Sequence, residues 1–448
     1  MADTMQNRPG TLHADVAVIG GGIIGLGIAL EARKAGRSVV LIDPAPATGA
    51  TYAAAGMLAP VSELHYQEED LLDLMLESSA LWPEFERTLP AASDPGDAAL
   101  GTGYRTTATL AVGADAADRR ALADLRDVQL AHGLAVEPLA LREARSREPL
   151  LSPQISCAFV IPADHQVDPR KLARRILASL ANHGLGDPSW VAGAEDGFAL
   201  RARAASLLWE DGRVAGAVLE TETGLGGGTV TQHGTVVRAA ETVVANGLGA
   251  AALAGLPEGL ALPLRPVYGD ILRLRVPEHL RPLLTCTVRG MVRGVPVYIV
   301  PRDDGTVVIG ATQREDGLSA SSNAVSAGGV YQLLRDAQVL VPAVAELELL
   351  EATARARPGT PDNAPLLGRV QGGRGDIEGL VVATGFFRHG VLLTPVAARI
   401  VGQLLSGVED PRWSRFRPDR FSGSHGSSVP TSAVHTAATP SAASKDPA

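Results

Sequence analysis

Apolar and polar positions along this chain follow two rhythms. DVAVIG (15–20) is a continuous apolar run that ends in a glycine cluster, as a buried strand does. Ile23 to Ala35 then reads as a helix, and SVVLID (38–43) as the next strand. Leu71, Leu72, Leu74, Met75, Leu81 and Phe85 recur near helical spacing and predict a helix over 68–89. Helices are also predicted at 115–131 and at 169–182 (PRKLARRILASLAN). Strands are predicted at 205–209, 214–220, 236–245, 271–276, 297–301 and 306–310. RDDG (302–305) turns the last two into a hairpin. One helix follows at 326–340 and another runs from about Val391 to Leu405. No internal repeat is visible. A βαβ opening followed by hairpins predicts an α/β chain: a Rossmann-like nucleotide-binding domain carrying a second domain with a mainly antiparallel sheet.

Composition narrows the class. The 448 residues suffice for two or three domains with a sizeable core. A net charge of −9 argues against a nucleic-acid partner, which normally meets a basic surface. Only Lys34, Lys171 and Lys445 are lysines, and none lies in a motif that suggests Schiff-base chemistry. Cys157 and Cys286 lie far apart with no metal-ligand spacing, so free thiols in a reducing cytoplasm are expected and no metal is. MADTMQNRPGTLHAD has no apolar core of a secretion signal, and no uncharged run is long enough to span a bilayer. The expectation is a soluble cytoplasmic protein with a loose segment at 1–13 and a disordered tail of Ser, Thr, Ala, Pro, Gly and His at 421–448.

The strongest chemical signal is VAVIGGGIIG (16–25), followed by a helix, a strand and Asp43. Gly20 permits the tight strand-to-helix turn. Gly22 admits a pyrophosphate next to bare backbone, and Gly25 lets the helix pack closely on the strand. The helix N-terminus offers free N–H groups and the positive end of its dipole. Asp43 is placed to accept from an adenosine ribose. This fingerprint leaves FAD and NAD both open, while an acid at position 43 disfavours NADP.

Small residues then dominate PAPATGATYAAAGMLAP (44–60), as where a backbone approaches a flat ligand. GGGIIG with AAAGMLAP resembles the glycine oxidases of thiamine biosynthesis, within the D-amino-acid oxidase superfamily. VYIVPRDDGTVVIGAT (297–312), ARPGTPDNAPLLGRV (356–370) and GLVVATGFFRHGVLLTP (379–395) extend the resemblance over about 14–420. It implies FAD, and an FAD-binding domain of 14–90, 160–250 and 352–420 beside a substrate domain of 91–159 and 251–351. Ile23, Ile24, Asp43, Pro44, Ala50 and Thr51 match FAD contacts, and Ala55, Gly56 and Met57 match contacts near the flavin ring. Ala205 matches a backbone contact to the adenine end. Phe386, Phe387, Arg388, His389, Gly390, Val391 and Leu392 match the stretch passing the ring. Arg357 matches the carboxylate-binding arginine, Arg388 a second active-site arginine, and Tyr298 a tyrosine of the substrate pocket. Four positions depart from the pattern. His389 replaces an asparagine, Phe386 a frequent histidine, Pro296 a histidine and Gln313 a methionine.

Residue chemistry gives these positions work. A forked guanidinium at Arg357 can grip a carboxylate through two parallel bonds, with Pro358 and Gly359 read as a turn fixing its direction. Tyr298 and Val300 fall on one strand face, from which a hydroxyl can reach the same carboxylate. His389 is assigned a structural or flavin-contact role rather than a catalytic one. A helix from Gly390 would direct its positive end at the reduced flavin. The expected activity is oxidation of glycine or a small amine acid to an imine, which gives glyoxylate and ammonia or feeds thiazole synthesis, with O2 reduced to H2O2. The alternative is a D-amino-acid or sarcosine-type dehydrogenase using another electron acceptor. Covalent flavin attachment in the sarcosine oxidases uses a cysteine near the C-terminal motif. Cys157 and Cys286 are far from it, so FAD is expected to be non-covalent. The expected partners are a small amino acid, O2 and, as an open question, further copies of the chain.

Overall fold

A computed structural model describes residues 11–66, 68–89, 101–182, 199–223, 230–315, 323–373 and 375–422. Its strands run in the order β1 (Thr11–Ile19), β2 (Val39–Ile42), β3 (Met57–Leu58), β4 (Thr109–Gly113), β5 (Glu137–Pro138), β6 (Cys157–Ile161) and β7 (His165–Gln166). Next come β8 (Ala199–Leu200), β9 (Ala204–Glu210), β10 (Arg213–Thr223), β11 (Val230–Val244), β12 (Arg265–Arg275) and β13 (Thr287–Val292). The last are β14 (Val295–Pro301), β15 (Thr306–Gly310), β16 (Glu348–Gly359), β17 (Leu366–Gly372) and β18 (Gly375–Thr384). The helices used below are α1 (Ile23–Lys34), α2 (Ala50–Ala53), α3 (Glu69–Arg87), α4 (Ala116–Ala131), α5 (Pro169–Asn182), α6 (Ala327–Leu340) and α7 (Thr394–Leu405).

Two large sheets organise these elements. The first has the order β17-β18-β11-β1-β2-β8, with β10 and β9 added beside β11. β18, β11, β1, β2 and β8 are mutually parallel, and the flanking pairs are antiparallel. Helix α1 lies against this sheet, and it is buried along Ile23–Leu30 because α7 covers its other side. Gly27 makes that crossing close: a methyl there would lie 2.7 Å from Thr394. The second sheet has the order β16-β12-β15-β14-β13-β4-β6-β5 and is antiparallel except where β13 meets β4. Val297 and Ile299 on one of its faces pack with Leu333 and Leu340 of α6. Tyr298 and Val300 on the other face meet Ala53 and Ala55, so the alternation predicted for this strand holds.

Several sequence expectations need correction. Thr11–His13 are not loose, because they extend β1 against Val236–Arg238. Residues 1–10 and 423–448 lie outside the described residues. Pro358 and Gly359 do not form a turn. They continue β16 opposite Pro266 and Arg265, and β16 is an edge strand, where a missing N–H costs little. The last helix begins at Thr394 rather than near Val391, with Pro395 in its first turn and a 3-10 turn at Phe387–His389 before it. Among the described residues no helix is long and apolar enough to cross a membrane.

Candidate active site

The two sheets meet across a cavity of about 570 Å³. Its first wall is the β1–α1 turn. Gly20 has φ +109°, and a methyl there would lie 2.5 Å from Asn246 Cα. A methyl on Gly25 would overlap the Gly20 carbonyl. Both glycines therefore serve the fold, and neither lines the cavity. Gly22 differs. A methyl there meets only Thr51 Oγ1 at 3.7 Å, so its open side is the cavity itself. Thr51 Oγ1 accepts from Ile23 N at 2.9 Å and ties the glycine turn to α2. Asp43 accepts from Gly21 N at 2.6 Å and Ala45 N at 2.7 Å, one bond to each oxygen. Each oxygen keeps a lone pair for a ligand hydroxyl.

Ala50, Ala55, Gly56 and Met57 continue the wall, as do Ile23 and Ile24. The Gly56 carbonyl accepts from Val167 N at 2.8 Å. Arg302 is a buried brace, although the sequence reads it only as part of a turn: its Nη1 donates to Val167 O at 2.9 Å and another donor reaches Ala55 O. Phe386, Phe387, Arg388, His389, Gly390, Val391 and Leu392 form the opposite lip. Besides Gly20 and Gly25, two more of the expected cofactor residues lie outside the cavity wall. Pro44 is exposed and outside the wall, while Ala205 sits in β9 with its carbonyl accepting from Ala254 N at 3.2 Å.

The far wall is the second sheet. Arg357 from β16 and Tyr298 from β14 both face the cavity, and neither side chain makes a hydrogen bond or ion pair among the described residues. Burial raises the Tyr298 phenol pKa despite the nearby Arg357, so the hydroxyl keeps its proton at neutral pH. Arg388 is engaged differently. Its Nε donates to Glu63 Oε2 at 2.8 Å, and it also pairs with Glu68. Arg289, directly opposite Tyr298 on β13, pairs with the other Glu63 oxygen. Burial alone would raise the Glu63 pKa, but Arg289 and Arg388 hold it well below the usual carboxylate range. His389 is 1 % exposed, and neither ring nitrogen has a partner among the described residues. Burial, with repulsion from Arg388, pushes its pKa down to about 3, so the ring is neutral.

The four departures, Pro296, Gln313, Phe386 and His389, all line this one cavity. Sequence reasoning missed Glu63, His65, Arg289 and Asn246, which line it too. These residues lie outside any spacing motif, and only the fold gathers them. Gly269 and Gly310 fall in β12 and β15, where glycine marks a close approach; the strand predicted at 271–276 stops short of Gly269, so of the two only Gly310 could have been read as a strand glycine. Among the described residues no cluster of three His, Cys, Asp or Glu could hold a metal.

An unhindered helix N-terminus at Gly22, opening into one cavity that runs to a sheet bearing a free guanidinium, suits a dinucleotide with its phosphates on α1. Fold and site together define a dinucleotide-binding protein with an anion site beside the cofactor cavity. The chain belongs to the family described as DAO, FAD dependent oxidoreductase, whose profile matches residues 15–404. It is 32% identical over 404 residues to a glycine oxidase of Geobacillus kaustophilus, covering 89% of this chain and 94% of that one. A crystal structure of glycine oxidase from Geobacillus kaustophilus superposes with TM-score 0.74 at 29% identity, covering 91% of this chain and 99% of that one. The bifunctional protein ThiO/ThiG of Trichormus variabilis is 29% identical over 408 residues, 91% of this chain. The chain spans about half the length of that relative, 55%.

Proposed function

We propose that the chain oxidises glycine or a comparably small amino acid, with FAD held non-covalently and O2 reduced to H2O2. The imine product hydrolyses to glyoxylate and ammonia or feeds thiazole synthesis. The observation that carries this reading is one of charge. Four arginines line the cavity: Arg289 and Arg388 are neutralised by Glu63 and Glu68, Arg355 donates to Thr48 O, Thr353 Oγ1 and Ala354 O, and Arg357 alone has neither a hydrogen-bond nor an ion-pair partner among the described residues. That leaves one guanidinium with its fork of donors open to a carboxylate.

Bound in the cavity, FAD supplies the two-electron acceptor for oxidation at the substrate Cα. Gly22, Ile24 and the first turn of α1 would hold its phosphates, Asp43 its ribose, and Ala55–Met57 with Gly390–Leu392 the ring end. Arg357 grips the substrate carboxylate through a planar fork, and the Tyr298 hydroxyl donates to the same group. Glu63, held ionised between two arginines, is too weak a base to take the ammonium proton, so that proton leaves to water. Neither Cys157 nor Cys286 lines the cavity, which supports non-covalent FAD.

Oxygen uptake and peroxide release with glycine, sarcosine, D-alanine and D-proline, measured side by side, test the reading. Turnover of glycine with stoichiometric H2O2 is expected. Turnover only with an artificial acceptor would replace the oxidase by a dehydrogenase.

A further inference from the structure

Arg357 and Tyr298 stand on strands that are not neighbours. The order β16-β12-β15-β14 puts two whole strands between them, a separation of roughly 14 Å at about 4.8 Å per strand. To meet one carboxylate, both side chains must lie across the intervening backbone. Each does so over a glycine. A methyl built on Gly269 of β12 would lie 2.5 Å from Arg357 Cζ, and one on Gly310 of β15 would lie 2.6 Å from Tyr298 Cζ. Gly310 is the cross-strand partner of both Ile271 and Tyr298, and Gly269 is two residues from Ile271, so both glycines open on the cavity face. Gly269 is not among the residues with positive φ, so the backbone does not require glycine there. Space does.

We propose that Gly269 and Gly310 are positioning residues of the substrate-carboxylate clamp: their missing side chains are the notches through which Arg357 and Tyr298 lean toward each other. This rests on the reading of Arg357 as the carboxylate ligand. The atoms displaced by a methyl at 269 are the far end of a flexible side chain, so Gly269→Ala leaves the fold intact and moves the guanidinium. A site-wide packing role would instead unsettle the strand.

The test uses the FAD-loaded protein and acetate as probe, read from the flavin difference spectrum. Gly269→Ala should weaken acetate binding at least tenfold, with FAD content and melting temperature unchanged. In an Arg357→Ala background the same substitution should cost nothing more. Wild-type acetate affinity in Gly269→Ala overturns the proposal, as does an equal loss in the Arg357→Ala background. If Gly269→Ala alone loses FAD or fold, the double variant should restore it, and failure to do so also overturns the proposal. A wild-type protein that binds no acetate removes the carboxylate reading and this inference together. Normal wild-type binding with an indifferent Gly269→Ala removes only the inference.

Discussion

Arg388 and Glu63 are 325 positions apart in sequence and meet at 2.8 Å, Nε to Oε2. Glu63 also holds Arg289, so one buried carboxylate fixes two of the cations that line the cavity. Removing one partner of such a pair strands the charges that remain. Glu63→Gln should therefore lower stability by about 3–5 kcal/mol, measured as the urea midpoint of the holoprotein. The folded pKa of Glu63 lies below the unfolded value near 4.3, so this contribution is present above about pH 4.3 and fades as acid protonates the group. A variant as stable as wild type at pH 7 would show that the pair contributes nothing net.

Arg357 has no such partner among the described residues, and its removal should act on substrate alone. Arg357→Ala should cost about 2–5 kcal/mol in kcat/KM with the best amino acid, while FAD content stays constant. Lysine should recover only part, because a point charge lacks the fork. Near-wild-type kcat/KM in the alanine variant would take the residue out of the mechanism.

The glycine fingerprint separates into cofactor and fold. Gly22→Ala meets no protein atom closer than 3.7 Å and should keep the apoprotein's denaturation curve while losing FAD affinity. Gly25→Ala collides with the Gly20 carbonyl and should destabilise the apoprotein itself. Equal effects of the two on apoprotein stability would contradict this division.

His389 links the site to pH. Its folded pKa, about 3, lies below the unfolded value near 6.5. The neutral ring therefore contributes fully above about pH 6.5, and the contribution is lost as pH falls toward 3, by about 1.4 kcal/mol per unit. Asp164, raised to about 6 by burial, works in the opposite sense over part of that window. Comparison with His389→Asn at each pH removes it. Wild type should lose stability relative to the variant between pH 6 and pH 4, and a constant difference would mean a protonated imidazole in the fold.

Much of this fold is legible in the sequence where local pattern decides it. The β1–α1–β2 unit, α4, α5 and the β14–β15 hairpin follow from apolar spacing and turn residues, and they fall where that spacing puts them. Strands β16 to β18 are not legible this way. Arg355, Arg357, Pro358 and Gly359 look like loop residues, and only pairing with Arg265–Gly269 makes them a strand. The site divides likewise. Gly22, Asp43 and Thr51 can be read from a motif, whereas Glu63 and Arg289, 226 positions apart, are brought together only by the tertiary fold.

Anaerobic mixing of the purified yellow protein with glycine tests the central claim most directly. The account predicts that the absorbance of oxidised flavin bleaches, and that admitting O2 restores it with release of H2O2. A flavin that stays oxidised with glycine, sarcosine, D-alanine and D-proline alike would contradict it.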